Sequence, residues 1–301
     1  MSRFANALQA AKQNAAFDSG SIGTLSEKTL HSVLKYYLEP CDDFHEVAVG
    51  SYVADILRDG CIIEIQTRAF DRLRKKLSAF LKEYPVTVVF PIAKTKWYYI
   101  TDSESGEVSE KKKSPKYGNI YDAFKELYKI KMLLDSENLY FHFVLLDITE
   151  YRRTVKKSRR NHKGIELVER IPNAIEEEVF IDGKEDFGKL IPEGLPSPFT
   201  SKDFAKAIKR PRSVAQTALN VLSAVGAVEH VGKDKNTYLY RTNSNSASLV
   251  PRPWDSCRRF SRGRRIFAFC KLSYFHKARL SGVKTPLREA QLLHRCQHGL
   301  N

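Results

Sequence analysis

Asp55, Glu64 and Gln66 interrupt an otherwise apolar stretch, HEVAVGSYVADILRDGCIIEIQT, residues 45–67. Asp is depleted in strands, and a buried carboxylate is costly unless a partner offsets it. Two carboxylates brought together there suit a hard divalent cation, Mg²⁺ or Mn²⁺, which prefers oxygen ligands and retains several waters. Such an ion activates water and stabilises charge on a leaving oxygen, the chemistry of phosphodiester hydrolysis. The other reading puts all three residues on the solvated face of a hairpin. Ile56, Ile62, Ile63 and Ile65 leave no clean polar face for it.

Three consecutive short strands must position these side chains: 44–49, 52–58 and 61–67. Gly50-Ser51 closes the first and Asp59-Gly60 the second; Asp-Gly between apolar runs is a strong hairpin signal, because both central residues need positive φ. Glu64 and Gln66 lie two apart on one strand and so share a face. Asp55 completes a polar spot if it faces the same side across the hairpin. A helix is predicted over 24–38 from Leu25, Leu30, Val33, Leu34, Tyr37 and Leu38. It carries Glu27, a favourable charge in a first helical turn. A second helix is predicted over 68–83, with Phe70, Leu73, Leu77 and Phe80 inside and Arg72, Arg74, Lys75, Lys76 and Lys82 outside. Strands are predicted at 86–92, 96–101 and 139–153, and a helix at 120–134.

A strand bearing Asp, a turn, and a strand bearing Glu-x-Gln resemble the PD-(D/E)xK (restriction-endonuclease-like) nuclease superfamily. "ADIL…IIEIQT" is particularly similar to competence-associated, nuclease-like proteins of bacteria. The resemblance covers residues 25–153. It implies an α/β fold with an αβββαβ core and a mixed sheet, Asp55 and Glu64 as metal ligands, Glu27 as an additional acid with Glu46 as a rival for that role, and Gln66 where the family usually has Lys. Lys could offset developing phosphate charge, whereas Gln offers only hydrogen bonds.

The chain has 301 residues, 42% of them hydrophobic, and a formal net charge of +15. The length predicts two domains, and the charge predicts a polyanionic partner, DNA ahead of an anionic membrane. No apolar run has the length of a membrane span, and no hydrophobic signal core opens the chain, so a cytoplasmic location without membrane contact is expected. Five cysteines without a CxxC pair are expected as reduced thiols.

The organisation expected is an N-terminal extension (1–23), the nuclease-like domain (24–153), a basic loop and connector (154–198), a second small domain (199–243) and a basic, poorly ordered tail (244–301). RRTVKKSRRNHKG at 152–164 offers Arg152, Arg153, Lys156, Lys157, Arg159 and Arg160 to phosphates, or else is a solvated linker. Residues 199–243 read as helix, turn, helix and two-stranded wing, which resembles a winged helix-turn-helix domain. Its DNA-facing residues would be Arg210, Arg212, Gln216, Thr217 and Asn220, with Lys233 and Lys235 on the wing. The other use of such a unit is dimerisation or internal packing, and a homodimer is one arrangement open to the chain. The tail holds Cys257, Cys270, His276, His294, Cys296 and His298, in which no pair has finger-like spacing. Together these readings predict a Mg²⁺-dependent DNA endonuclease; the alternative is a non-catalytic DNA-binding protein with a degenerate nuclease fold.

Overall fold

Asp59 and Gly60 take positive φ, 50° and 73°, the backbone that a tight hairpin turn requires. They join β2 (Tyr52–Arg58) to β3 (Cys61–Ile65), and β1 (His45–Val49) precedes them. A computed structural model describes residues 2–17, 25–159 and 161–243. Arg160 and the 244–301 segment, with its cysteines and histidines, lie outside the described residues. Ahead of the hairpins come α1 (Arg3–Phe17) and α2 (Leu25–Leu38); after them come α3 (Phe70–Phe80), the long strand β4 (Val86–Thr101), β5 (Lys112–Lys113) and α4 (Phe124–Lys129). Two more long strands follow, β6 (Leu139–Thr154) and β7 (Ile165–Ile181). The last part holds β8 (Phe199–Thr200), α5 (Ser201–Ile208), α6 (Arg212–Ala224), β9 (Val228–Asp234) and β10 (Thr237–Thr242).

The architecture is α/β on a seven-stranded mixed sheet ordered β1-β2-β3-β4-β6-β7, with β5 beside β4. β1, β2 and β3 form an antiparallel meander, β4 runs parallel to both β3 and β6, and β7 is antiparallel to β6. One face packs under α2, whose Leu30, Leu34 and Leu38 recur every four residues and meet Ile56, Ile65, Val89 and Val144. The other face packs under α3 and α4, where Phe70, Leu77, Phe80 and Phe124 are fully enclosed with Ile62 and Val88. Each such side chain contributes about 1.5–3 kcal/mol.

The structure departs from the sequence reading in four places. First, 86–92 and 96–101 are one strand of 16 residues. Pro91 does not break it, because Val89 turns its carbonyl to Gln66 on the β3 side and Pro91, two residues on, faces the same side beyond the last β3 pairing. No ladder bond needs its missing N–H. Second, residues 154–198 are not a connector: β7 is a 17-residue strand paired along β6, and the 153/154 boundary falls inside that hairpin. Third, α1 is docked through Ala7 and Ala11 onto Val33 of α2. Fourth, Phe199, Phe204, Leu219 and Leu222 share one apolar core with α3 and α4, so 199–243 packs into the main body. Cys41 is a free thiol. Among the described residues no helix is long and apolar enough to cross a membrane.

Candidate active site

β2 and β3 form a fork. Their ladder pairs Arg58 with Cys61, Leu57 with Ile62 and Ile56 with Ile63, and then the strands part. On its other edge the ladder of β2 with β1 skips Asp55 and Glu46, and Glu46 has a φ of 51°. Inside the fork, side chains take over the bonds that the backbone ladder leaves. The Ile65 amide donates to Asp55 Oδ2 at 2.7 Å, and the Asp55 amide donates to Glu64 Oε1 at 3.1 Å. Two carboxylates are thereby wedged side by side between diverging strands, with Glu64 only 2% exposed.

A basic or titratable group reaches the fork from each helix layer. His31 of α2 places Nε2 3.1 Å from Asp55 Oδ2, and Lys76 of α3 places Nζ 2.5 Å from Glu64 Oε2. The pair is electrostatically unbalanced. Burial, then the charge of Asp55, push Glu64 up from 4.5 to about 7, against the pull of Lys76. Burial acts on Asp55 in the same direction, but the His31 contact, the Ile65 amide and Lys76 outweigh it and hold Asp55 below its ordinary value. Of the two carboxylates, Glu64 is therefore the one that takes up a proton first as pH falls.

Asp55 and Glu64 are thus brought together as the strand pattern requires. Gln66 is not: its side-chain amide donates to the Arg68 carbonyl, and its backbone amide donates to Val89 O at 2.9 Å. Glu27 belongs to α2, and its side chain lies outside the described ones. Glu46, across from Asp55 in the register of β1 and β2, pairs with Lys35 and is 60% exposed. Lys76, expected on the solvated face of its helix, turns instead to the fork. The signal that marks it is spacing: position 76 lies three after Leu73 and four before Phe80, both buried, so it flanks the apolar stripe. Its stem runs beside Phe80, with Nζ 5.7 Å from the ring centre.

Among the described residues no group of three or more His, Cys, Asp or Glu side chains is arranged to hold a metal ion. The donors at the fork are two carboxylates, which suits an ion that fills its remaining positions with water and substrate phosphate. The charge state fits as well, since a divalent cation would relieve the repulsion that raises Glu64.

Close by, Leu30, Thr67, Pro91, Ala93, Lys96 and Arg170 border a cleft of about 100 Å³ between α2 and the sheet. Its two cations converge on Glu150, at 3.3 Å from Lys96 and 3.1 Å from Arg170, and Arg152 approaches it as well, at 2.6 Å. Glu150 is 3% exposed; burial would raise its pKa, but these cations hold it below its ordinary value.

The residues expected to touch nucleic acid divide into two groups. Arg152 is spent on Glu150, and Arg153 reaches Glu166 at 2.7 Å. Arg210 bonds Asp122 and the Tyr117 carbonyl, with 12% of its side chain exposed, and so fastens the α5–α6 turn to the body. Asn220 accepts from Lys131 at 2.9 Å, Arg212 donates to Ser201 at 3.0 Å, and Thr217 donates to the Ser213 carbonyl. Lys156, Lys157, Arg159, Gln216, Lys233 and Lys235 are exposed.

An uncharacterized protein of Treponema pallidum (strain Nichols) is 28% identical over 235 residues, which cover 78% of this chain and 92% of that protein. No solved structure matches. A family model described as Domain of unknown function (DUF8091) matches residues 28–182, which include the fork, Lys76 and the long strands. That span is just over half of the chain, and the chain belongs to the DUF8091 family.

Proposed function

We propose that the protein is a metal-dependent phosphodiesterase acting on DNA, with a restriction-endonuclease-like core of α2, β1, β2, β3, α3 and β4 and a winged-helix unit of α5, α6, β9 and β10. The observation that carries this reading is the fork: Asp55 and Glu64 adjacent between parting strands, with Lys76 at the far oxygen of Glu64. A divalent ion bound by Asp55 and Glu64 would supply water activation and charge neutralisation at the scissile phosphate. Lys76 contributes a fixed positive charge at the carboxylate edge, the role that Gln66 does not fill. His31 orients Asp55 through Oδ2 and leaves Oδ1 for a ligand. The +15 net charge of the chain favours a polyanionic substrate.

The test is cleavage of plasmid, single-stranded and branched DNA across Mg²⁺, Mn²⁺ and EDTA, with Glu64→Gln and Asp55→Asn as controls. Metal-dependent cleavage that disappears in both variants is expected. Equal cleavage by wild type and Glu64→Gln would remove the fork as the site. The second reading is a DNA-binding protein with a degenerate nuclease fold. Gln66 favours it, because its side chain is turned to the Arg68 carbonyl. Retained DNA binding without cleavage under any metal would select that reading.

A further inference from the structure

The outer halves of β4 and β6, with β5 alongside, extend past the enclosed core: β4 is buried from Val86 to Ile92 and half-exposed from Ala93 to Thr101. On one face of this arm, alternate residues of β4 present Trp97 and Tyr99, two apart and therefore about 7 Å apart. Tyr151 of β6 pairs with Tyr99 in register, and their rings are parallel within 15° at 5.4 Å between centres. Tyr151 is 38% exposed. β5 and the residue before it bring cations to the same face, where Lys111 and Lys113 stand 5.0 and 5.3 Å from the Trp97 ring centre, and both are exposed. Trp97 Nε1 is fixed by Asp147 Oδ2 at 3.3 Å, so the indole has a set orientation. Basic residues exceed acidic ones in both segments of the arm: six Lys against four Asp/Glu in 94–118, and eight Lys/Arg against four in 147–173.

We propose that this face binds single-stranded nucleic acid, with Trp97, Tyr99 and Tyr151 as base-stacking platforms and Lys111 and Lys113 as phosphate contacts. Flat rings spaced along a strand recognise the faces of unpaired bases, which a duplex hides, and flanking cations follow the backbone. An arriving base displaces the flexible lysine ammonium groups from the indole towards its own phosphates. Base faces and phosphates are common to DNA and RNA, so the surface does not itself choose between them. As a statement of substrate class this rests on the phosphodiesterase reading; as a binding site it stands without it.

The experiment uses the full chain with Trp254→Phe, which leaves Trp97 as the single indole, and Glu64→Gln, in EDTA so that nothing is cleaved. Oligo-dT, oligo-rU, duplex DNA and heparin are titrated while Trp97 emission and anisotropy are followed. Emission should be quenched by both single strands. Tyr99→Ala/Tyr151→Ala should weaken oligo-dT binding by at least about 5-fold, the lower end of what even one stacked base supplies. Lys111→Ala/Lys113→Ala, both exposed, should lower the salt slope by about 1.4 without altering the fold. Binding without quenching, or duplex or heparin bound as tightly as oligo-dT, would overturn the proposal. If the tyrosine variant does not fold, quenching and the lysine variant decide. Binding in EDTA that survives a failure to cleave separates this proposal from the fate of the fork.

Discussion

Glu64 and Glu150 are both almost fully enclosed in the same sheet, and they are opposites. Glu150 faces Lys96, Arg152 and Arg170, and these cations lower its pKa. Glu64 faces Asp55 and Lys76, and its pKa is raised to about 7. A carboxylate with surplus cations is a fastening, satisfied as it stands. A carboxylate beside another carboxylate, with Lys76 offsetting only part of the repulsion, takes up a proton or a further cation more readily, which makes the fork a candidate site. Burial alone does not distinguish the two; the balance of opposing charges does.

The strongest test of this contrast removes the cation at Glu64. Lys76→Ala should reduce metal-dependent cleavage by about 10²–10³-fold, the usual effect of deleting one transition-state donor, whereas Gln66→Ala should stay within about tenfold because its side chain serves the Arg68 carbonyl. Single-turnover rates on a plasmid substrate measure both. The reverse order would restore the role that the strand pattern alone gives to Gln66.

The next effect is on stability. The folded-state pKa of Glu64, about 7, lies above its ordinary 4.5, so the folded protein holds a proton that the unfolded chain releases between those values. Stability is therefore fully present below about pH 4.5 and falls as pH rises through 7, by on the order of 3 kcal/mol from this group. Glu64→Gln should flatten that decline in urea melts. Mg²⁺ should raise the melting temperature more at pH 8 than at pH 5, because it competes with the proton.

Glu150→Ala should do the converse: leave cleavage per folded molecule unchanged and lower stability at all pH values near neutrality. Lys96, Arg152 and Arg170 are 26%, 25% and 39% exposed. The cost therefore lies between the roughly 1 kcal/mol of an exposed pair and the roughly 3–5 kcal/mol of a fully enclosed one. A shifted urea midpoint with unchanged slope would register it. Smallest of all, Lys156→Ala/Lys157→Ala/Arg159→Ala should leave stability unaltered, weaken DNA binding at low salt and reduce its salt dependence. On duplex DNA the slope should fall by about 0.9 for each phosphate no longer neutralised. No change in slope would make the hairpin tip a solvated turn.

The fork is legible in the sequence because it violates strand composition in a place bounded by two turn signals. Asp55 and Glu64 had to meet something, and Asp59-Gly60 fixed where. Lys76 is easily overlooked because it sits in a run of basic residues that averages out as a solvated face; only its spacing from Leu73 and Phe80 marks it. β7 is unreadable for a different reason. Glu176, Glu177 and Glu178 look like a linker until their partners are known, and those partners, Lys94 and His142, lie more than thirty positions away in β4 and β6. Residues 93–95 likewise read as a gap between two strands until β6 is seen to pair across them. Arg210 reads as a DNA contact because a basic residue in a helix-turn-helix invites it, and nothing local announces that Asp122 is waiting.

The long parallel pairing of β4 with β6 has a consequence for how the chain acquires its structure. The pairs run from Val86–Leu139 to Thr101–Arg153, and the strands are joined through residues 102–138. The β1-β2-β3 meander and the β6–β7 hairpin can each zip from a turn, whereas the central ladder closes only after that segment has been carried round. Until it closes, β4 and β6 each present a sixteen-residue edge rich in Val, Phe, Leu and Ile, the surface on which chains pair with one another instead of with themselves. Nascent chains released between the two strands cannot bury that edge at all, so expression yield should depend on how quickly residues 139–154 follow residues 86–101 out of the ribosome.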